Sequence, residues 1–199
     1  MDTPPKSEPL FGTGQFHCVE LTFDDVPRLQ RFLEANPEYY LAVNGCSPGP
    51  DEAREEFESL LPAGWSYKKR WVLGFFDEQE SMVGAANVIS DLFAAGIWHI
   101  GLFMVATTLH GRGVAQILYE HLESWMRENG ARWLRLGVVE GNLRAERFWE
   151  NSGYLDIRKR QGVEMGKRMN TLRVMAKPLA AGSVSEYLAL VARDRPESQ

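Results

Sequence analysis

In Val105-Ala106-Thr107-Thr108-Leu109-His110-Gly111-Arg112-Gly113-Val114-Ala115, two glycines separate an apolar run from the start of an amphipathic helix. The apolar run from Ile97 to Val105 predicts a strand. A helix N-terminus carries unpaired N–H groups and the positive end of the helix dipole, so it attracts anions. Glycine lets the backbone approach a phosphate without an intervening side chain. The stretch therefore predicts a site for a phosphorylated small molecule.

The helix after the glycines and the segment that follows it predict a β-α-β unit. Asn129-Gly130 ends the helix, with Gly130 as a left-handed cap. A second strand follows, in which Leu134, Leu136 and Val138 alternate with other residues. We expect a right-handed crossover between parallel strands. The apolar face of the helix recurs at helical spacing and comprises Val114, Ile117, Leu118, Leu122, Trp125 and Met126.

The glycine spacing separates this turn from other phosphate sites. The chain has no Gly-x-x-x-x-Gly-Lys-Ser/Thr loop, and its turn lacks the third glycine of Gly-x-Gly-x-x-Gly. Instead, the segment from Ile100 to Gly130 resembles the acetyl-CoA-binding motif of the GNAT acetyltransferase superfamily, Gln/Arg-x-x-Gly-x-Gly/Ala. Gly113 and Ala115 match the glycine and small-residue positions, and His110 replaces Gln or Arg.

A second motif strengthens the resemblance. The family sequence Asn-x-x-Ala-x-x-(Phe/Leu)-Tyr-Glu-x-x-Gly-Phe is similar to the segment from Asn142 to Tyr154. The two agree at Asn142, Ala145, Phe148, Glu150 and Gly153. Both motifs lie in the family's order with a strand between them, so the resemblance extends over residues 15–179.

The resemblance implies an α/β (α+β) architecture, the GNAT fold. We expect a mixed central sheet of about six to seven strands flanked by about four helices, in the order β-α-α-β-β-β-α-β-α-β-β. The predicted organisation is a flexible N-terminal tail over 1–14, the acetyltransferase domain over 15–179 and a C-terminal extension over 180–199. Ser183-Val184-Ser185-Glu186 has the form of a capping box and predicts a short helix in the extension. That helix either docks on its own domain or forms a homodimer contact.

The resemblance also implies the residues that bind the cofactor. The backbone of Phe103, Met104 and Val105 is expected to pair with the pantetheine arm. Asn142 is expected to contact the cofactor, to cap a helix, or both. Trp149 takes the position where the family usually has its acid tyrosine. The turn that holds the phosphates comprises His110, Gly111, Arg112, Gly113, Val114 and Ala115.

Acetyl transfer to an amine requires the loss of a proton from the ammonium and can require a proton for the leaving thiolate. An indole has no useful acidity, so Trp149 cannot be that acid. Either Tyr154 donates the proton, or the thiolate leaves without a side-chain acid.

His99 is the principal candidate for the base. The family often places a glutamate base where this chain has Gly101, and His99 lies two residues earlier on the same strand face. An unperturbed histidine pKa near ~6.5 suits proton removal at neutral pH. The alternative is a histidine packed beside Trp98. Glu140 and Asp91 are the lesser candidates.

Composition narrows the class of protein further. A net charge of −5 lacks the basic excess of a nucleic-acid binder. It suits a cationic amine substrate but is also ordinary for a soluble protein. The four histidines and two cysteines lack metal-ligand spacing, so we expect no metal. No apolar run has transmembrane length and nothing resembles a signal peptide, so we expect no membrane partner and a cytoplasmic location.

The sequence therefore predicts an N-acetyltransferase that transfers acetyl from acetyl-CoA to a primary amine of a small molecule or peptide. Direct attack in a ternary complex is the expected route. Two alternatives stay open at this point: a non-catalytic regulatory module that binds acetyl-CoA, and a transferase of a longer acyl group. The sequence does not identify the amine acceptor.

Overall fold

One mixed sheet runs through the computed structural model, which describes residues 8–12 and 14–198. Its eight strands among these residues are β1 (Phe11–Gly12), β2 (Phe16–Glu20), β3 (Lys69–Asp77), β4 (Met82–Ser90), β5 (Ile97–Val105), β6 (Trp133–Val139), β7 (Leu155–Met165) and β8 (Arg168–Pro178). The α-helices of the described part are α1 (Val26–Ala35), α2 (Glu38–Val43), α3 (Glu52–Glu58), α4 (Val114–Glu128), α5 (Leu143–Asn151) and α6 (Val184–Leu190). The predicted fold class is confirmed, with a slightly larger number of strands.

The strands lie in the order β1-β2-β3-β4-β5-β6-β8-β7. Neighbours are antiparallel except β5 and β6, which are parallel. Helix α4 connects these two strands, which confirms the predicted β-α-β unit. It buries Leu118, Leu122 and Met126 against the sheet, and Gly130 follows its end with a left-handed φ of 101°.

Strands β5 and β6 diverge halfway along their length. Their pairing begins at Ile97 with Trp133 and, within the described residues, stops at Ile100 with Leu136. On the other edge of β5, the register with β4 shifts so that Gly101 is left without a partner. A bulge of this kind bends the strand. The second half of β5 therefore leaves β6 and opens a gap in the sheet.

The N-terminal region differs from the prediction of a tail over residues 1–14. Residues 1–7 and 13 lie outside the described residues. Phe11 and Gly12 pair with Cys18 and His17 of β2. The Phe11 ring packs 5.8 Å from that of Trp125, and burying an aromatic ring of this size favours an ordered strand. The prediction of a flexible tail is therefore wrong for this pair of residues.

Helix α2 is an addition to the predicted order. Helix α1 ends at Ala35, directly before Asn36-Pro37. Pro37 directly precedes the first residue of α2. Proline suits a helix start because it lacks the N–H that the first residues of a helix leave unpaired. Helix α3 ends at Glu58, and Leu60 beyond it is 90% exposed.

The C-terminal extension folds back on the domain. Ser183 caps α6, and its hydroxyl and Glu186 form the predicted capping box. Tyr187 is fully buried, with its ring 5.3 Å from that of Trp133. The predicted helix is confirmed and docks on its own domain. Across residues 8–12 and 14–198, no helix combines the length and the apolar character needed to cross a bilayer.

Candidate active site

The glycine turn between β5 and α4 forms an open backbone cradle. Gly111 and Gly113 have φ values of 75° and 77°, and a Cβ built on either would meet no atom within 4 Å. Among the described residues, no group accepts a hydrogen bond from the N–H of Gly113, Val114 or Ala115. Free N–H groups at the start of a fifteen-residue helix provide the donors and the dipole that an anion requires.

A cavity of about 470 Å³ lies beside this turn, and we call it the turn cavity. Its walls come from the second half of β5, the turn itself, and helices α2 and α5. Nine of the residues predicted to bind the cofactor line it, namely Phe103, Met104, Val105, His110, Gly111, Gly113, Ala115, Asn142 and Trp149. The structure thus brings the two sequence motifs together around one space.

Two predicted side chains of the turn do not line this cavity. Arg112 is exposed, and Val114 is buried in the core behind the turn. Only the backbone N–H of Val114 belongs to the cradle.

His110 stabilises the turn through its side chain. Its Nε2 donates to the carbonyl oxygen of Val105 at 3.0 Å, and its Nδ1 contacts the guanidinium of Arg144. The imidazole therefore holds the end of β5 against the turn. Both ring nitrogens of His110 are thus engaged by the protein itself, whereas, within the described part of the chain, the backbone N–H groups at the start of α4 are free.

A second cavity of about 490 Å³ lies where β5 and β6 diverge, and we call it the histidine cavity because His99 lines it. Gly101 lines it as well, at the bulge of β5. The two cavities share five wall residues, Tyr39, Phe103, Asn142, Ala145 and Trp149. They are therefore adjacent compartments with a common wall at the gap in the sheet.

Asn142 and Trp149 of α5 belong to this common wall. The Asn142 side chain accepts from the Ala145 N–H at 3.3 Å and caps α5, so the helix-cap interpretation is confirmed. Trp149 is nearly buried, with its ring 5.9 Å from that of Phe103 and 5.2 Å from that of Tyr154. It lines both cavities.

Tyr154, the candidate acid, is buried in the core and does not line either cavity. Its hydroxyl accepts from that of Tyr119 at 3.2 Å. Burial raises the pKa of Tyr154 well above its usual range, so its hydroxyl is a poor proton donor. The structure therefore does not bring this residue to the candidate site.

His99 has a strongly perturbed environment. Its Nδ1 lies 3.1 Å from the carbonyl oxygen of Arg135 and 3.3 Å from the Arg135 guanidinium. We assign the ring proton to Nδ1, because the nearer partner is a carbonyl oxygen, which can only accept. Burial and this guanidinium lower the pKa of His99 to about 3. The expected value near ~6.5 is therefore wrong, since it assumed a solvated side chain. His99 is a neutral imidazole at physiological pH, and among the described residues Nε2 has no partner.

Glu140 and Asp91 lie outside both cavities. Glu140 is exposed after β6 and pairs with Lys159. Asp91 has a left-handed φ of 52°, and its carboxylate accepts from the Gly96 N–H at 2.7 Å, which closes the loop before β5. Neither carboxylate is positioned to reach a group held between β5 and β6.

Several residues of the cavities were not predicted as part of the site. Arg144 lines the turn cavity from α5, and Asn36 lines it while accepting from the Thr107 N–H at 2.7 Å. Of the aromatic residues Tyr39, Tyr40, Trp65 and Tyr67, which precede β3, Tyr39 and Trp65 line a cavity. Tyr39 lies on helix α2. The sequence signal that could have placed Tyr39 beside the site was Pro37, which marks the start of this helix.

The model of the acetyltransferase (GNAT) family matches residues 29–154, more than half of the chain. The chain therefore belongs to the GNAT acetyltransferase family. Acetyl-CoA is the acyl donor of this family. No curated protein matches the chain by sequence.

Solved structures of acetyltransferases share the fold. An acetyltransferase from Thermus thermophilus has 21% identity, covering 86% of this chain and 99% of that chain with a TM-score of 0.64. Spermidine N-acetyltransferase from Vibrio cholerae, in complex with CoA and spermine, has 16% identity over 88% and 99% of the two chains, with a TM-score of 0.64. The Salmonella typhimurium enzyme that modifies the N-terminal serine of ribosomal protein L7/L12 has 12% identity over 87% and 100%, with a TM-score of 0.68.

Proposed function

We propose that this protein transfers the acetyl group of acetyl-CoA to a primary amine by direct attack in a ternary complex. Acetyl-CoA binds in the turn cavity and the amine binds in the histidine cavity. The observation that carries this proposal is the shared wall of the two cavities at the point where β5 leaves β6. A thioester and an amine held on the two sides of this gap would be close enough to react.

The walls of the turn cavity suit the parts of acetyl-CoA. The free N–H groups of Gly113, Val114 and Ala115 suit the pyrophosphate, and the Arg144 guanidinium adds positive charge. Beyond Ile100, the β6-facing edge of β5 has no strand partner among the described residues. The backbone of Phe103, Met104 and Val105 is therefore available to pair with the amide groups of the pantetheine arm.

The amine nitrogen attacks the thioester carbonyl carbon, so that a C–N bond forms and the C–S bond breaks. We assign to Nε2 of His99 the proton that the nitrogen loses as the amide forms, because its Nδ1 already donates to the Arg135 carbonyl. A base with a pKa of about 3 takes this proton from the acylated nitrogen and not from a free ammonium, so the amine attacks in its neutral form. The CoA thiolate leaves without a side-chain acid, since Tyr154 is held in the core. The named acceptors of the solved relatives, spermidine and an N-terminal serine, are also amines, which supports this acceptor class.

Binding of the donor is tested by thermal denaturation with CoA and acetyl-CoA. A ligand at 100 times its Kd should stabilise the native protein by ~2.7 kcal/mol. Gly113→Asp should abolish this shift, because it places a carboxylate where the pyrophosphate binds. Gly130→Asp is the matched control, since Gly130 also has a left-handed φ and open space but lies at the other end of α4. An undiminished shift in Gly113→Asp would disprove the phosphate site.

Catalysis is tested by thiol release with a panel of amines and several acyl-CoAs. Amine-dependent release that is fastest with acetyl-CoA supports the proposal. Binding without release for any amine would instead identify a regulatory module, and faster release from longer thioesters would identify another acyltransferase. A cytoplasmic location and a homodimer remain predictions of the sequence.

A further inference from the structure

Arginine side chains supply the charge of the histidine cavity. Arg135, Arg160 and Arg193 line it, and none of the described residues in its wall is an aspartate or glutamate. They come from β6, β7 and the C-terminal extension. None of the three lines the turn cavity. These three guanidinium groups thus lie in the compartment assigned to the acceptor, whereas the turn cavity has Arg144 and Glu38 in its wall.

One carboxylate partly balances this charge. Asp194 is completely buried and accepts from Nε and Nη2 of Arg135 at 2.7 and 2.9 Å. It also accepts from the Tyr187 hydroxyl at 2.6 Å, and its contact with Arg160 is longer at 3.6 Å. Among the described residues, Arg193 has no carboxylate within 4.0 Å. Three guanidinium groups therefore share one carboxylate, which leaves about two positive charges uncompensated.

Arg160 has unused hydrogen-bonding capacity. Its Nε is buried, and none of the described residues accepts from it. Its Nη2 donates to the backbone oxygen of Arg193 at 3.0 Å. Burial and the neighbouring Arg193 lower the pKa of Arg160, as expected when like charges are crowded in a partly buried site. A bound anion would relieve this repulsion.

Arg193 is held in place by the extension and by Trp65. The guanidinium carbon lies 4.9 Å from the centre of the Trp65 ring. The backbone around it is anchored by Arg158, whose Nη1 donates to the carbonyl oxygens of Arg193, Arg195 and Ser198. The extension therefore completes one wall of the cavity and presents an arginine there in a defined position.

We propose that the amine acceptor carries an anionic oxygen group, a carboxylate or a phosphate, which binds to Arg160 and Arg193 in the histidine cavity. The proposal rests on the function proposed above and narrows its substrate class. The planar fork of arginine matches both of these anions. The apolar part of the same wall includes Val163, Met165 and Leu172. A polyamine would place additional positive charge against the arginines, so this site disfavours it.

The acceptor class is tested with matched amines, measured by thiol release from acetyl-CoA. The L-amino acids are compared with their C-terminal amides, and O-phosphoethanolamine is compared with ethanolamine. Spermidine is the cationic member of the panel. We expect the anionic member of at least one pair to exceed its neutral partner by roughly tenfold or more in kcat/KM, the usual scale for a charge-assisted hydrogen bond.

Arg193→Gln tests the assigned residue, because its backbone contacts do not require the guanidinium. The KM for the anionic acceptor should rise roughly tenfold or more, and by a clearly larger factor than the KM for its neutral partner. Arg193→Lys should recover part of the loss. Arg54→Gln is the matched control, since Arg54 lies on the exposed surface of α3, outside both cavities.

Binding of the same panel to the CoA-saturated protein is measured in parallel by ligand-detected NMR. If anionic amines bind and Arg193→Gln weakens their binding, the anion site is supported. If these amines bind but no thiol is released, the proposed transfer reaction is wrong and the anion site stands. If thiol release shows no preference for anionic amines, the anion site is wrong and the transfer reaction stands. The same holds if Arg193→Gln lowers kcat/KM equally for both members of a pair. If no anionic amine binds or reacts, both the anion site and the acceptor assignment are wrong.

Discussion

The turn cavity and the histidine cavity share a wall but come from different parts of the chain. Most of the turn cavity is built by two motifs within residues 103–149, inside the region that the family model matches. The charged wall of the histidine cavity includes Arg160 and Arg193, which lie beyond residue 154. The turn cavity therefore lies within the matched region, whereas the charged wall of the histidine cavity also draws on residues beyond it.

The two cavities also use different chemistry to attract charge. The turn cavity relies on backbone N–H groups, which the glycine turn exposes by its conformation. The histidine cavity relies on side chains, and their positions depend on an ion pair between β6 and the extension. A backbone site tolerates many sequences around it. A side-chain site can change its ligand with a single substitution, which suits the part of an enzyme that selects the acceptor.

The largest expected effect is on turnover. It distinguishes His99, the reacting part of the histidine cavity, from Arg160 and Arg193, its proposed anion-binding part. His99→Gln should lower kcat by ~10²–10⁴-fold, because a general base typically contributes that much. The Kd for acetyl-CoA should stay unchanged, since His99 does not line the turn cavity. Turnover and donor affinity are measured on the same preparation.

His121→Gln is the control for this substitution, because His121 lies on α4 outside both cavities. The competing assignment makes the opposite prediction, since a base at Glu140 would leave His99→Gln active and inactivate Glu140→Gln. Near-wild-type turnover of His99→Gln between pH 6 and 9 would rule out the histidine as base.

The next effect is on stability and tests how strongly the extension is joined to the acceptor side. Asp194→Asn should reduce the free energy of unfolding by ~3–5 kcal/mol, because it leaves the buried charge of Arg135 unpaired. Asp156→Asn is the control, since this exposed carboxylate pairs with Arg173 and contributes at most ~1 kcal/mol. Urea denaturation measures both. Equal losses in the two variants would mean that the buried ion pair does not anchor the extension.

The smallest effect concerns the pH dependence of stability. His99 has a pKa of about 3 in the folded protein, below its unfolded value near ~6.5. Between these values the unfolded state binds more protons, so stability falls as the pH falls, by up to ~1.4 kcal/mol per unit for this group. Above pH 6.5 the contribution is complete.

His99→Gln should flatten this dependence between pH 6.5 and 4, and His121→Gln should not. The comparison uses the slopes of unfolding free energy against pH, so a constant loss of packing in either variant does not affect it. An unaltered slope in His99→Gln would show that the imidazole titrates normally in the folded protein.

Local signals predicted most of the donor side. Gly111 and Gly113 needed a left-handed backbone that glycine adopts readily, and Asn142 was recognisable as a helix cap. Tyr154 could not be assigned in the same way. Its place in the motif suggested an acid, but only packing decided that its hydroxyl meets that of Tyr119 in the core.

By itself, the sequence determined the order of the elements apart from β1 and α2, the β-α-β unit and the glycine turn, because each depends on residues close together in the chain. The tertiary structure alone decided the acceptor side. Arg135 and Asp194 are separated by 59 residues, and no local pattern records that they form a buried pair. The pKa of His99 depends on this same assembly, since desolvation and a neighbouring charge exist only after the strands and the extension have packed together.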